Sequence, residues 1–495
     1  MKQDIMTFWD YFLPALEWVL MSYGILAFVC YAAITILSYY SIKNYKSVKR
    51  ITNFHNLVSS SELLLGVSII APAFNEEKSI VTHVRSLLAQ NYPKFEVIVV
   101  NDGSTDGTLQ KLMDAFGMEN VEFAYHERIP TADVKGIYKS KQHNFSQLIV
   151  VDKDSGYSKA DATNAGINAA NFPYILCTDV DCILQHNAIA KLVQPILAEK
   201  NGKRVLAVGA TLRLVNGCET DEYGIVKRKS SNNILLRFQE IEYLKTYILH
   251  KTGLSLINSV PSISGALGLM DKEIAIEVGG YDKNNFREDM EILLRMIKYA
   301  HDYNIGYQVK YIPETLCWTE APNNMTVFVR QRTRWSLGFA QMMFLHLPQM
   351  FRAKYGRFGW VVLPYNFFLE FIAPVFHVLI VLFYAIMVYL DFVRWNELMF
   401  LVGLVYVYNV LVTTLTILWD QVTSRSYETS KNLLILCLLP FIEPFLYYPI
   451  TIFTSLRGYW LSLTNREKVW GNMQRKGFNT RYTPLKKMMP ATAAQ

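Results

Sequence analysis

The sequence predicts an α/β domain inserted between membrane-spanning helices, and three observations carry that prediction. The chain has 495 residues, 51% of them hydrophobic and only 18% charged, where a soluble protein of this length would carry nearer a quarter charged. Part of it therefore sits in lipid. Long uncharged runs lie near both ends, and between them residues 60–320 alternate short apolar strands with amphipathic helical stretches, the pattern of a parallel sheet covered by helices.

The first run, Trp18 to Tyr40, is 23 residues without a formal charge, which at ~1.5 Å per residue crosses a bilayer. Asp4, Asp10 and Glu17 precede it, and Lys43, Lys46, Lys49 and Arg50 follow it. A cleavable signal peptide has the opposite order, a basic start before a shorter apolar stretch. The basic side stays inside, so residues 41 onward face the cytosol. These limits give a membrane anchor with its basic flank over residues 1–50 and a cytosolic domain over 51–322. An amphipathic, interfacial stretch over 323–360 leads to membrane helices over 361–463 and a basic tail over 464–495.

The later apolar runs are Phe371 to Leu390, Leu398 to Trp419 and about Leu433 to Leu456. The last contains Pro440, Glu443, Pro444 and Pro449, and an acid between prolines at membrane depth reads as a broken or re-entrant helix. Three full crossings would place the basic tail outside, so two crossings and a re-entrant segment are expected here. The net charge of +7 is concentrated in the two basic edges, which leaves the body slightly acidic and argues against a nucleic-acid partner. Six cysteines without paired short spacing point to a reduced protein.

Within the central domain, Val67 to Ala71 and Phe95 to Val100 read as strands, with Glu77 to Gln90 as the helix crossing between them. Ligands bind such sheets at the carboxyl ends of the strands. Asn75 and Glu76 follow the first strand, and Asp102-Gly103-Ser104 follows the second. Either group alone is equally a turn and helix cap. A glycine turn at Gly156 then opens a helix carrying Lys159 and Asp161. The buried run from Tyr174 ends in Asp179-Val180-Asp181, two acids spaced to hold a hard divalent ion against a diphosphate. Cys177 and Cys182 flank that pair, and core packing explains them better than zinc does. Further on come the small residues Ser264-Gly265-Ala266, then Glu288-Asp289 opening a helix, then Gln331-Arg332-Thr333-Arg334-Trp335 beside the membrane block. The long polar stretch from Glu127 to Asn144 reads as a lid or partner loop.

In this order the motifs resemble those of the membrane-integrated, processive family 2 glycosyltransferases. The resemblance covers about residues 65–345 and runs through Pro72-Ala73-Phe74-Asn75-Glu76, Asp102-Gly103-Ser104, Lys159-Ala160-Asp161-Ala162, Asp179-Val180-Asp181, Ser264-Gly265-Ala266, Glu288-Asp289 and Gln331 to Trp335. It looks most like the branch of poly-β-1,6-N-acetylglucosamine, chitin-oligosaccharide and hyaluronan synthases. The resemblance implies a nucleotide-sugar-binding, GT-A type, Rossmann-like domain at the cytoplasmic face of a cell (inner) membrane, in a multi-pass protein. It further implies inverting, processive transfer of a sugar, N-acetylglucosamine first, from a UDP-sugar to a β-linked polysaccharide that is exported as it grows.

The roles implied are Asp289 as general base beside Glu288, and Asp179 and Asp181 as ligands of Mg²⁺ or Mn²⁺. Asn75, Glu76, Asp102, Lys159, Asp161 and Gly265 would contact the donor, Gln331, Arg332 and Arg334 the pyrophosphate, and Trp335 the acceptor sugar. Its partners would be the UDP-sugar, a saccharide acceptor, membrane lipid and a small accessory membrane subunit. Two departures concern the base: Arg287 stands where Thr is common, and Glu291 where Asp is frequent. The alternatives are a transferase adding one sugar to a membrane lipid and, in another class, a non-catalytic scaffold or transporter, against which the intact Asp179, Asp181 and Asp289 argue.

Overall fold

The computed structural model of the protein describes residues 2–51, 64–220, 225–424 and 430–464. The basic tail, from residue 465 on, lies outside the described residues, as do residues 52–63 ahead of the first strand. The described strands are β1 Val67–Ala73, β2 Phe95–Asp102, β3 Met118–Asn120, β4 Val134–Ser140, β5 Leu148–Lys153 and β6 Tyr174–Cys177. They continue with β7 Cys182–Leu184, β8 Arg204–Leu214, β9 Glu219–Thr220, β10 Ile225–Lys227, β11 Gly268–Asp271 and β12 Tyr307–Thr319. β9 and β10 form a separate hairpin; the rest make one sheet in the order β3-β4-β5-β2-β1-β6-β11-β8-β12-β7.

The centre is parallel, as the apolar runs predict. β1 pairs with β2 from Val67↔Phe95 to Ala73↔Asn101 and with β6 on its other side, and β2 pairs with β5. Both β1 and β2 are buried almost throughout, so their sequences are continuous apolar runs rather than alternations. The flanks depart from the parallel expectation: β4 runs antiparallel to β5, β11 to both neighbours and β7 to β12. Only residues 141–147 join β4 to β5, too few for a parallel crossover, which needs about a dozen. The stretch from Glu127 to Asn144, expected as a lid or partner loop, contributes β4, Val134–Ser140, to the sheet, a strand that is polar because it lies near the edge and is only partly buried.

Helices cover the sheet. Ile80–Leu88 follows β1 and buries Ile80, Val84 and Leu87. Lys159–Ala169 lies so close to β1 that a Cβ on Gly166 would stand 2.4 Å from Ile70 Cγ2. Only glycine fits there. Ser158 caps this helix, its hydroxyl accepting from Asp161 N.

Lys2–Ile51 is one helix, and its portion Leu13–Ser47 is long and apolar enough to cross a membrane, as is Leu398–Ser424. Two further pairs would reach that length only as bent spans: Phe358–Phe371 with Ala373–Tyr389 at 40°, and Ser430–Phe441 with Glu443–Thr464 at 57°. The second bend falls at the prolines. Glu443 is fully buried there and accepts from Lys245 Nζ at 2.7 Å. The membrane helices are locked to the domain by polar contacts: Arg213 of β8 pairs with buried Asp420, and Tyr45 donates to Glu314 Oε2 at 2.9 Å. The helix Tyr448–Thr464 crosses Met325–His346 at Gly458, where an added Cβ would lie 2.6 Å from Thr333 O.

Candidate active site

At the carboxyl ends of β1, β2 and β6 the chain leaves the sheet in tight turns. Asn75 adopts φ +54°, a left-handed conformation that Asn tolerates. Its backbone N–H donates to Ser104 Oγ and its Oδ1 accepts from Thr105 N at 2.8 Å, tying the two loops together. Glu76 N donates to Thr108 Oγ1, and Ser79 Oγ donates to its carboxylate at 2.7 Å.

Asp102 closes β2. Its Oδ1 accepts from Lys153 Nζ at 2.8 Å and from Gly156 N at 2.9 Å. Lys153, fully buried at the end of β5, also pairs with Asp161 at 2.6 Å. Asp161 is therefore misplaced among the expected donor contacts: it turns inward, accepts from Ala132 N and fixes the lysine that fixes Asp102. A Cβ on Gly156 would collide with that carboxylate. Lys153 escaped sequence reasoning because a lysine at the end of a buried strand carries no motif of its own.

The loop after β6 carries the paired acids. Ligand atoms of Asp179, Asp181 and Cys182 lie within 4.8 Å of one another. Burial pushes the Cys182 thiol well above its ordinary pKa, and its soft sulfur does not suit a hard divalent ion. The two carboxylates remain as donors, and hard oxygens suit Mg²⁺ or Mn²⁺. Lys159 pairs with Asp179; burial alone would lower its pKa, but Asp179, Glu288 and Asp289 outweigh that and hold it above the usual lysine value. The ammonium stays charged.

Glu288 and Asp289 open the helix Glu288–Asp302. Asp289 is gripped by backbone donors on both oxygens, from Gly265 N to Oδ2 at 2.9 Å and from Met290 N to Oδ1 at 2.9 Å. Gly265 lies close to both charged groups: a Cβ there would stand 3.3 Å from Lys159 Nζ and 3.5 Å from Asp289 Oδ2. Burial raises the pKa of Glu288 well above the carboxylate range, reinforced by Asp289 and opposed by Lys159 and Arg334. The helix start is further pinned by Arg295, which donates to Glu291 Oε2 and to Gly280 O, each at 2.6 Å. Glu291 thus serves the scaffold rather than the cavity.

Gln331, Arg332, Arg334 and Trp335 ride on Met325–His346. Arg332 was expected at the pyrophosphate. Instead it is buried, donates to Glu242 Oε2 at 2.8 Å, and lays its guanidinium 4.2 Å from the Trp335 ring centroid. Tyr447, from the bent membrane segment, donates to the same Glu242 carboxylate. Neither Glu242 nor Tyr447 bears a sequence signature.

All the predicted site residues except Asp161 line one cavity of about 1480 Å³. It runs from Asn75 and Asp102, past Asp179, Asp289 and Trp335, to Tyr408, Asn409 and Tyr448 of the membrane helices. Glu370 and His377 line it as well, whereas Glu443 is taken up by Lys245.

Residues 68–128 match the family described as Glycosyl transferase family 2, and residues 142–338 that described as Glycosyltransferase like family 2. The poly-beta-1,6-N-acetyl-D-glucosamine synthase of Staphylococcus aureus (strain COL) is 28% identical over 275 residues, 56% of this chain and 55% of its own. The protein of the same description from Staphylococcus epidermidis is 26% identical over 280 residues, 57% and 56% of the two chains. The chain spans about half the length of these curated relatives. Among solved structures, the mannosyltransferase PcManGT from Pyrobaculum calidifontis, in complex with GDP-Man and Mn2+, covers 90% of this chain and 100% of its own, with a TM-score of 0.52 at 15% identity. That likeness is one of fold, the GT-A type. With both family matches falling on the sheet and the cavity just described, the chain belongs to the family 2 glycosyltransferases.

Proposed function

We propose that the protein transfers N-acetylglucosamine, with inversion, from a UDP-sugar to a growing β-linked polysaccharide and feeds the product into its own membrane helices. The observation that carries this reading is the single cavity joining the acidic loop, Asp289, Trp335 and the polar side chains Tyr408, Asn409 and Tyr448. An enzyme adding one sugar to a lipid needs no such polar continuation, and polar groups at membrane depth are costly unless they face one another or a hydrated path.

In this reading the nucleoside lies along Asn75, Glu76 and Asp102. Lys153 and Gly156 saturate Asp102 Oδ1, which turns Oδ2 to a ribose hydroxyl. Lys159, with Arg334 and Gln331, binds the diphosphate as its charge grows on leaving. Asp179 and Asp181 would hold a divalent cation, which would supply further neutralisation of that charge. Asp289, held by two backbone donors, takes the proton of the acceptor hydroxyl, which then attacks the anomeric carbon from the face opposite the leaving group. Trp335, braced by Arg332, offers a flat apolar surface to the acceptor sugar. The catalytic face is cytoplasmic, where UDP-sugars are made.

The test is incubation of the purified full chain with radiolabelled UDP-sugars, sizing of the product and digestion by a matched glycosidase. A saccharide of many units from UDP-N-acetylglucosamine, shortened or lost in Trp335→Ala, is expected. A lipid bearing one sugar as sole product would reject polymerisation and leave sugar transfer standing.

A further inference from the structure

The helical segment Lys245–Lys251 is wound wider than an α-helix, an irregularity that concentrates at functional sites. The two lysines at its ends differ. Lys245 donates to Glu443 Oε1 at 2.7 Å and to the Tyr448 hydroxyl at 2.8 Å. Lys251 is 7% exposed and lines the cavity, and among the described residues neither a hydrogen bond nor an ion pair reaches its Nζ. Its ammonium lies 5.0 Å from the Tyr247 ring centroid and 5.9 Å from that of Tyr311.

The surroundings place it at the reacting end of the cavity. The Tyr247 hydroxyl is hydrogen-bonded to Ser264, and the next residue, Gly265, donates to Asp289. Burial pulls the pKa of Lys251 down to about 7 against the charge of Asp289, and Arg287 adds to the fall. The mechanism above gives this side chain nothing to do. Its Nζ faces the cavity with no protein acceptor in reach among the described residues, which leaves its N–H groups open to an acceptor that arrives with substrate.

That acceptor must satisfy two neighbours, the ammonium and the apolar face of Tyr247. A plain hydroxyl supplies the oxygen alone, and a carboxylate brings no apolar part. The acetamido group of an N-acetylhexosamine supplies both, a carbonyl oxygen for Nζ and a methyl for the ring. We propose that Lys251 is a specificity-determining residue that binds the acetamido carbonyl of the sugar held beside Asp289, an inference that rests on the N-acetylglucosamine reading.

The experiment uses the full chain in lipid nanodiscs with saturating UDP-N-acetylglucosamine, and follows extension of N-acetylglucosamine, glucose and glucuronic-acid-terminated oligosaccharides. The wild type is expected to favour the N-acetylated acceptor. Lys251→Met keeps the packing of the stem; it should raise the KM for that acceptor about 10- to 100-fold with kcat and the KM for the glucose acceptor far less affected. UDP affinity, which reports folding, should match the wild type. Lys251→Arg, which keeps donors, should recover part of the preference. A loss shared equally by all acceptors, a loss confined to kcat or an unchanged preference overturns the proposal while sugar transfer stands. A wild-type preference for glucuronic acid overturns the acetamido assignment. A wild type that transfers no sugar overturns the proposed function and this inference with it.

Discussion

Asp289 accepts from a backbone N–H on each of its oxygens, and an Asn of the same shape can keep one of the two bonds, since its amide nitrogen only donates. Asp289→Asn should leave UDP binding nearly intact, because it keeps the shape, and lower transfer at least about 10²-fold, because the proton acceptor is lost. Turnover and UDP affinity measured on one preparation decide it; near-normal turnover would sink the assignment. On the proposed reading Asp179 and Asp181 form a pair of hard donors. Asp179→Ala or Asp181→Ala should abolish transfer, as should EDTA, and Mg²⁺ or Mn²⁺ should restore only the chelated wild type. Full activity in EDTA would contradict the metal role. At this scale the types at the site were legible, since acids after strands and a lysine at a helix start have few structural uses together. Which acid faces inward was not: Asp102 and Asp161 both flank buried Lys153, and only the packing tells that one borders the cavity and the other closes the scaffold.

The helix Met325–His346 carries the Gln331 to Trp335 motif and rests on the membrane segment Tyr448–Thr464. Their closest approach is through Gly458, which has backbone of the facing helix, Thr333 O and Leu337 N, within 2.8 Å of where a Cβ would stand. Backbone cannot swing aside as a side chain can. Gly458→Ala should force the helices apart, cost about 1–3 kcal/mol, and depress activity although residue 458 touches no substrate. Thermal melting and turnover of the purified variant check it, and a variant with unchanged values would show that the contact is slack. The same helix explains the correction at Arg332. Its position in the motif resembles a phosphate ligand, yet Glu242, distant in sequence and itself held by Tyr447, pairs with it.

Across the whole molecule, acids before the first candidate span and bases after it underlie the proposed orientation. A single cysteine introduced at Ser47, in a background lacking the native cysteines, should resist membrane-impermeant thiol reagents in intact cells, and one at Gln3 should react. Labelling of intact against lysed cells reads this directly. The reverse pattern would place the cavity's acidic loop on the outside, away from any supply of nucleotide sugar, and would overturn the cytoplasmic placement.

The sequence by itself determined the central parallel strands, the helices that cover them, the first membrane helix and the residue types around the cavity. Those features follow from local rules: continuous apolar runs mark buried strands, a long uncharged run marks a span, and turn residues at strand ends mark a ligand edge. Only the tertiary structure decided the antiparallel flanks, the inward turn of Asp161, the bracing of Trp335 by Arg332, and the isolation of Lys251. Several of the contacts involved join residues more than about 50 apart in the chain, such as Asp102 with Lys153, Arg332 with Glu242 and Tyr447 with Glu242. Whether a buried charge has a partner is settled by packing and desolvation across the fold, and nothing in local spacing records it.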